Sequence, residues 1–314
     1  MNGTIIDQLT KLAKQIKGSY RRDAIRRGLR VIKGLDFEIR SSDDLKDLPF
    51  IGKGIRKRVD EILDTGSLSE LEPSSELEGI IGIGSVKAKQ LEEKGIKTVS
   101  ELKTAVSEKK VKLSKAALLG LKYYGIVEAN IPRKEITEIK SLLEKEAHKI
   151  DKDLSILICG SYRREKATSN DIDVLLYHPK DGNWLQLFIE DLFSIKFLLD
   201  TLGQDYQTLF MGFCQYRNNA VRRIDIRYVP IDSLEPAKLY FTGPFELNQY
   251  MRSEAKNRGM LLNEHGLWKI TWVNNTPIKV KIPITSEADI FHVLSMDYLT
   301  PKERESFNSE TRKS

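Results

Sequence analysis

Asp171 and Asp173 stand two residues apart, and Asp225 sits between two arginines in Arg223-Ile224-Asp225-Ile226-Arg227. Extended backbone alternates its side chains. Asp171 and Asp173 therefore share one face of a strand, and Asp225 shares a face with Arg223 and Arg227 while the isoleucines take the other. Carboxylates held that close repel, and one keeps its proton unless a cation sits between them. A hard divalent ion such as Mg²⁺ suits these oxygens and those of phosphate. If the two strands are neighbours, three carboxylates converge. Such a cluster supports two-metal phosphoryl transfer, one ion activating an attacking 3′-hydroxyl and the other holding a triphosphate. Gly160-Ser161-Tyr162-Arg163-Arg164 comes just before, and Ser161 and Arg164 are placed to neutralise triphosphate charge. Strand-end aspartates satisfied by nearby arginines are the ordinary alternative. That accounts for one Asp-x-Asp, but not for the Gly-Ser turn and the third aspartate together.

Positioning these residues requires strands joined to helices. Short apolar runs at 154–159, 171–177 and 222–229 read as strands. Residues 134–150 read as an amphipathic helix with Ile136, Ile139, Leu142, Leu143 and Ile150 on one face. The first 70 or so residues look all-helical, with Ile5, Leu9, Leu12 and Ile16 at helical spacing, up to a break at Pro73-Ser74-Ser75. A second helical stretch runs to Tyr124-Gly125, and Asn130-Ile131-Pro132 marks the next boundary. The expected architecture is α+β and multidomain: helical domains over 1–72 and 73–132, a sheet-containing catalytic domain over 133–233 with a small mixed or antiparallel sheet, and a C-terminal α+β subdomain over 234–314.

One internal repeat pairs LPFIGKGIRKRV (48–59) with IIGIGSVKAKQL (80–91). Each places apolar residues before a glycine-containing hairpin and a basic helix. Glycine permits close backbone approach, and a helix start offers N–H groups to phosphate. This is the helix-hairpin-helix pattern, which grips DNA backbone without reading bases. Gly52, Lys53, Gly82, Gly84 and Lys87 are the expected contacts. A formal net charge of +6, with basic clusters at 14–33, 52–58 and 86–90, favours a polyanionic partner.

No apolar run approaches the roughly 20 residues of a membrane helix, and the N-terminus lacks a signal peptide's apolar core and cleavage site. Two isolated cysteines, Cys159 and Cys214, are too few for a disulfide framework or zinc site. They suggest packing roles in a reducing, intracellular setting. His148, His178, His265 and His292 show no ligand spacing.

LKYYG…IPRKE, GSYRR…NDIDVLL, RRIDIRYVP and LYFTGPFELNQYMR, in the family's own order along essentially the whole chain, resemble the corresponding segments of family X DNA polymerases, with polymerase β the nearest pattern. The resemblance implies a lyase-like helical domain, a helix-hairpin-helix domain, a catalytic palm and a nucleotide-selecting subdomain. It implies that Asp171, Asp173 and Asp225 bind two Mg²⁺ ions, with Mn²⁺ as a substitute, and that Asp225 accepts the primer hydroxyl's proton. Arg133, Gly160, Ser161, Arg164 and the backbone of Asn170 would line the triphosphate. Tyr240, Phe241, Thr242 and Gly243 resemble the sugar-checking segment. Asn248 would meet the incoming base, and Arg252 and Arg227 the DNA. Carbonyls near Leu48 and Ile51, and near Ile80 and Ile83, would hold a monovalent cation, Na⁺ or K⁺, bridging to DNA. The expected substrates are gapped or nicked double-stranded DNA and a dNTP, handled by a monomer, in the nucleus of a eukaryotic cell or in the host cytoplasm or virion of a virus.

The chain departs from that pattern in places. Arg58 stands where lyase-active relatives carry the Schiff-base lysine, and a guanidinium cannot be that nucleophile. Ile16, Gly54 and Glu70 replace phosphate-binding lysines, while Tyr20 is retained. Weak or absent lyase activity is expected, with Lys53 and Lys57 the remaining amines. Phe245, Gln249 and His265 also differ, as does Asn170, which would tolerate a glycine's positive φ. The short connection 216–221 favours templated synthesis over terminal transfer. Other nucleotidyltransferases, a terminal transferase and a non-catalytic DNA-end binder remain the alternatives.

Overall fold

The computed structural model describes residues 2–16, 19–71, 75–203, 206–273 and 276–307. Pro73 and Ser74 of the expected break, the last residues of the expected C-terminal subdomain and the side chain of Tyr20 lie outside the described set. The chain divides into two compact units, Met1–Ser75 and Glu76–Ser314.

In the first unit α1 (Gly3–Gln15), α2 (Ser19–Lys33) and α3 (Lys53–Thr65) enclose one apolar core. Leu9, Leu12, Ile25, Ile32, Leu45 and Val59 are buried there at helical spacing. α2 and α3 approach closely because residue 28 is glycine: a Cβ there would lie 2.1 Å from Ile55 Cδ1.

The second unit begins with α4 (Ser85–Glu92), α5 (Val99–Ser107) and α6 (Lys115–Tyr123), packed on Ile80, Ile83, Leu91 and Leu102. Thr98 and Glu101 form a reciprocal capping box that starts α5. β1 (Ile131–Pro132), α7 (Arg133–Ile150), β2 (Ser155–Ile158), α8 (Gly160–Arg163), β3 (Thr168–Ser169) and β4 (Ile172–Tyr177) follow, then α9 (Trp184–Ser194), β5 (Leu198–Thr201), β6 (Leu209–Cys214) and β7 (Arg222–Tyr228). β1 pairs with β3. The main sheet is mixed, with strand order β2-β4-β7-β6-β5; β4 and β7 are parallel and the other neighbours antiparallel.

α7 and α9 cover one face of this sheet through Ile136, Ile139, Leu143, Phe188 and Leu192, against Ile172, Val174, Ile224 and Ile226. On the other face Leu175 and Cys159 pack with Ala237 of α10 (Leu234–Thr242). α11 (Phe245–Asn257), a three-stranded sheet of β8 (Met260–Asn263), β9 (Gly266–Val273) and β10 (Thr276–Lys281), and α12 (Glu287–Val293) complete the unit around Leu247, Met251, Ile290 and Phe291. No helix among the described residues is long and apolar enough to cross a membrane.

One local expectation, that at residue 170, changes. In the repeat, Gly52 and Gly84 cap α3 and α4 at negative φ; the left-handed position is Phe50 (φ 63°) in one hairpin and Gly82 (φ 87°) in the other. Gly82 is further constrained by packing, since a Cβ there would meet Ala117 N at 2.8 Å. Asn170 is not among the positive-φ residues, whereas Asn130 is, at φ 60°. The replacement of glycine at 170 therefore places no demand on its backbone.

Candidate active site

The register of the parallel pair sets Asp173 directly opposite Asp225. Asp171 immediately precedes β4, so it approaches from the same strand end. Burial raises the Asp173 carboxyl to about 7, with the charges of Asp171 and Asp225 adding to the effect. Burial likewise raises Asp225 to about 6; Arg223 opposes the shift and Asp171 reinforces it. Both shifts favour the protonated acid, and an added cation would reverse them.

The cluster is open. No choice of one oxygen from each aspartate brings the three within 4.8 Å of one another. Arg223 Nη2 lies 2.7 Å from Asp225 Oδ1, yet that buried oxygen has no aligned hydrogen bond. The contact is an ion pair. Three hard oxygen donors, one of them buried without a hydrogen bond, fit divalent cations.

Gly160 makes room for this arrangement: at φ 55°, a Cβ there would sit 2.2 Å from Asp173 Oδ2. Cys159 N donates to Asp173 O at 2.8 Å, which ties the α8 turn to β4. Cys159 is fully buried, and burial pushes its thiol up to about 12. Cys214 is also buried and shifted upward. Neither thiol is a nucleophile, as the sequence led us to expect.

A cleft of about 670 Å³ opens from the aspartates and is lined by Gly160, Ser161, Arg164, Asn170, Asp171, Asp173, Tyr240, Phe241, Gly243 and Asn248. These ten sequence-derived residues are thus brought together. Ser161 Oγ donates to Ser169 Oγ at 2.7 Å, and Asn248 Nδ2 donates to the Tyr240 carbonyl at 2.7 Å. Arg164 Nη1 donates to Thr242 O at 2.6 Å, and its Nε donates to Glu305 at 2.6 Å. Asn130, Lys166, Phe245 and Glu305 also line the cleft. Phe245 is 68% exposed there. A smaller cavity holds Arg227 with Asp173, Asp225 and Phe241, the guanidinium lying 4.9 Å from the Phe241 ring centre.

Arg133, expected at the triphosphate, does not line the cleft. Arg133 donates to Tyr162 O at 2.5 Å and stacks 4.1 Å from the Tyr162 ring centre. Arg252 is exposed on α11.

In the hairpins, the Leu48 and Ile80 carbonyls accept the N–H groups of Ile51 and Ile83 at 3.3 and 3.0 Å, which closes each turn. Lys53 opens α3, and Lys87 lies in the first turn of α4. The first unit also has a cavity of about 470 Å³ lined by Arg21, Phe50, Gly52, Gly54 and Arg58. Arg58 is tied to Gly54 O at 2.8 Å and to Glu70, which Arg21 also contacts at 2.6 Å.

Sequence reading missed three ion-paired groups, because each joins residues distant in the chain. Arg222 forms a buried pair with Glu135 at 2.8 Å. Glu287 is shared by Arg163 and the fully buried Arg304, at 2.6 and 2.8 Å. His178, to which no role was assigned, lies with Asp151 and Asp153, the three donor atoms within 4.8 Å of one another. His178 Nδ1 lies 3.0 Å from both the N–H and the carbonyl oxygen of Lys180, and its Nε2 lies 3.3 Å from Asp151. This group lies just past the end of β4 remote from Asp173.

Family models match residues 130–231 as a DNA polymerase beta palm, 237–305 as a DNA polymerase beta thumb, 1–68 as a helix-hairpin-helix domain and 75–128 as the fingers domain of DNA polymerase lambda. The chain is 31% identical to DNA polymerase lambda of Arabidopsis thaliana, over 96% of this chain and 61% of the relative. It is 30% identical to DNA polymerase lambda of Rattus norvegicus, over 96% of this chain and 56% of the relative. It is 27% identical to DNA nucleotidylexotransferase of Xenopus laevis, over 90% of this chain and 63% of the relative. The chain thus spans about three fifths of the length of these curated relatives.

Proposed function

We infer that the chain belongs to family X of the DNA polymerases, and on that premise we propose that it fills short gaps in DNA during base-excision-type repair, transferring nucleotides from dNTP to a primer 3′-hydroxyl under template direction. The observation that carries this reading is the pairing of Asp173 with Asp225 across parallel strands, beside Asp171 and at the mouth of a cleft with cationic and hydroxyl groups.

Asp171, Asp173 and Asp225 are the ligands for two divalent ions, Mg²⁺ in the first instance and Mn²⁺ as a substitute. Bound there, such ions supply Lewis acidity at the attacking hydroxyl and offset the triphosphate's charge. Asp225, whose Oδ1 has no aligned hydrogen bond, accepts the hydroxyl proton. Ser161 and Arg164 bind phosphate oxygens. Gly160 and Gly243 allow the backbone to approach the nucleotide, Tyr240 and Phe241 wall the sugar, and Asn248 holds the Tyr240 carbonyl in place while facing the base. Arg227 fixes Phe241 from behind the site.

Arg133 reaches the triphosphate only after leaving Tyr162. Arg252, Lys53, Lys87 and the hairpin backbone at Gly52, Gly82 and Gly84 hold DNA phosphates. The Leu48, Ile51, Ile80 and Ile83 carbonyls are the seats for Na⁺ or K⁺. The partners are gapped or nicked duplex DNA and dNTP, the working form is a monomer, and the setting is intracellular, nuclear in a eukaryotic cell.

The test is insertion into a one-nucleotide gap bearing a 5′-phosphate, with each template base in turn. Incorporation of the complementary nucleotide alone is expected. Extension of single-stranded ends without regard to template would replace this reading with terminal transfer.

A further inference from the structure

We propose that Glu305 is a built-in competitor for the cleft's anion seat, a carboxylate that a nucleotide's polyphosphate must displace before it can bind. This rests on the reading of that cleft as the triphosphate site. Glu305 bridges Arg164 Nε at 2.6 Å and Lys166 Nζ at 2.8 Å, and all three side chains line the cleft. Arg164 is only 14% exposed, and its Nη1 is fixed by Thr242 O, so the edge it presents to Glu305 is pre-aimed at an anion.

The carboxylate is delivered by a rigid mount. The neighbouring Arg304 is fully buried, bonded to Leu299 O at 3.0 Å and Glu287 at 2.8 Å, which anchors the 3₁₀ turn Glu303–Ser306. Glu305 can therefore leave by side-chain rotation while the turn stays in place. Burial raises its carboxyl, but Arg164 and Lys166 outweigh this and hold it below the ordinary value, so it is an anion at neutral pH.

An internal ligand lowers apparent affinity by the fraction of molecules in which the seat is free. It also selects by valence. A polyphosphate replaces both of the carboxylate's cation contacts, whereas a single phosphate gains little over the group it expels.

The experiment is titration calorimetry of inorganic tripolyphosphate into the full chain, comparing wild type with Glu305→Gln and with Glu165→Gln. The control removes a neighbouring charge that pairs with Lys302. Two partly exposed ion contacts set the expected gain for Glu305→Gln at about three- to tenfold in affinity, with Glu165→Gln within about twofold of wild type. In gap filling, the same Gln variant lowers KM for dNTP. Equal or weaker binding by Glu305→Gln, or an equal gain in both variants, overturns the competitor role alone. No binding by any of the three overturns the triphosphate seat as well.

Discussion

Arg58 stands where the family resemblance places a Schiff-base lysine. A guanidinium stays protonated and cannot form a Schiff base, and here it is also held by Glu70 and Gly54 O. Glu70 thus gathers Arg58 and Arg21. We expect no covalent adduct when wild-type protein is treated with borohydride on a 5′-deoxyribose-phosphate end. A strong adduct, mapped to Lys53 or Lys57, would contradict this. The departure at Arg58 was legible in the sequence; its capture by Glu70 was not, because local pattern does not report which distant acid meets a given base.

At the scale of elements, Gly120 and Glu287 carry the clearest consequences. Gly120 lets α6 rest on the second hairpin: an added Cβ would lie 1.9 Å from the Ile81 carbonyl oxygen. The clash is with backbone, so Gly120→Ala should destabilise the second unit by about 1–3 kcal/mol in urea unfolding. Glu287 joins α8, α12 and the C-terminal turn by pairing with Arg163 and Arg304. Glu287→Gln leaves two largely buried guanidinium groups short of a counter-charge, at about 3–5 kcal/mol.

Burial raises the Glu287 carboxyl, but the two arginines prevail and hold it below its ordinary 4.5. A depressed carboxyl stabilises above its unfolded value and loses that contribution as pH falls through the folded one. The stability gap between wild type and Glu287→Gln should therefore be full at pH 7 and narrow below about pH 4.5. A gap constant from pH 7 to pH 3 would refute the linkage.

Periodicity explains which elements could be read in advance. α7 buries Ile136, Ile139 and Leu143 on one stripe, and β7 alternates buried and half-buried residues, so both showed in the sequence. β10 is exposed at every position and has no alternation to detect, and β6 is a nearly continuous apolar run, which does not distinguish strand from helix.

At the scale of the molecule, the first unit has its own apolar core, and residues 1–75 should fold alone. A core this small supports only about 3–5 kcal/mol, so a cooperative but low melting transition by circular dichroism is expected; a featureless melt would show dependence on the rest of the chain. With a net charge of +6, DNA affinity should fall linearly on a log–log salt plot. Lys53→Ala and Lys87→Ala should each flatten that slope by about one unit, without altering which nucleotide is inserted. The order of the domains and the aspartate cluster were legible from the motifs. The internal anion at Glu305 was not, since its meaning depends on Arg164 and Lys166 being brought to it by folding.

Asp171, Asp173 and Asp225 are proposed as one metal-dependent phosphoryl-transfer centre. Its most direct test is single-turnover insertion into a one-nucleotide gap by Asp225→Ala and wild type, at saturating Mg²⁺, dNTP and DNA. Loss of several kcal/mol of transition-state stabilisation corresponds to a fall of at least about a thousandfold in rate. A variant that inserts within about tenfold of wild type would contradict the claim and leave the cluster a structural feature of the sheet.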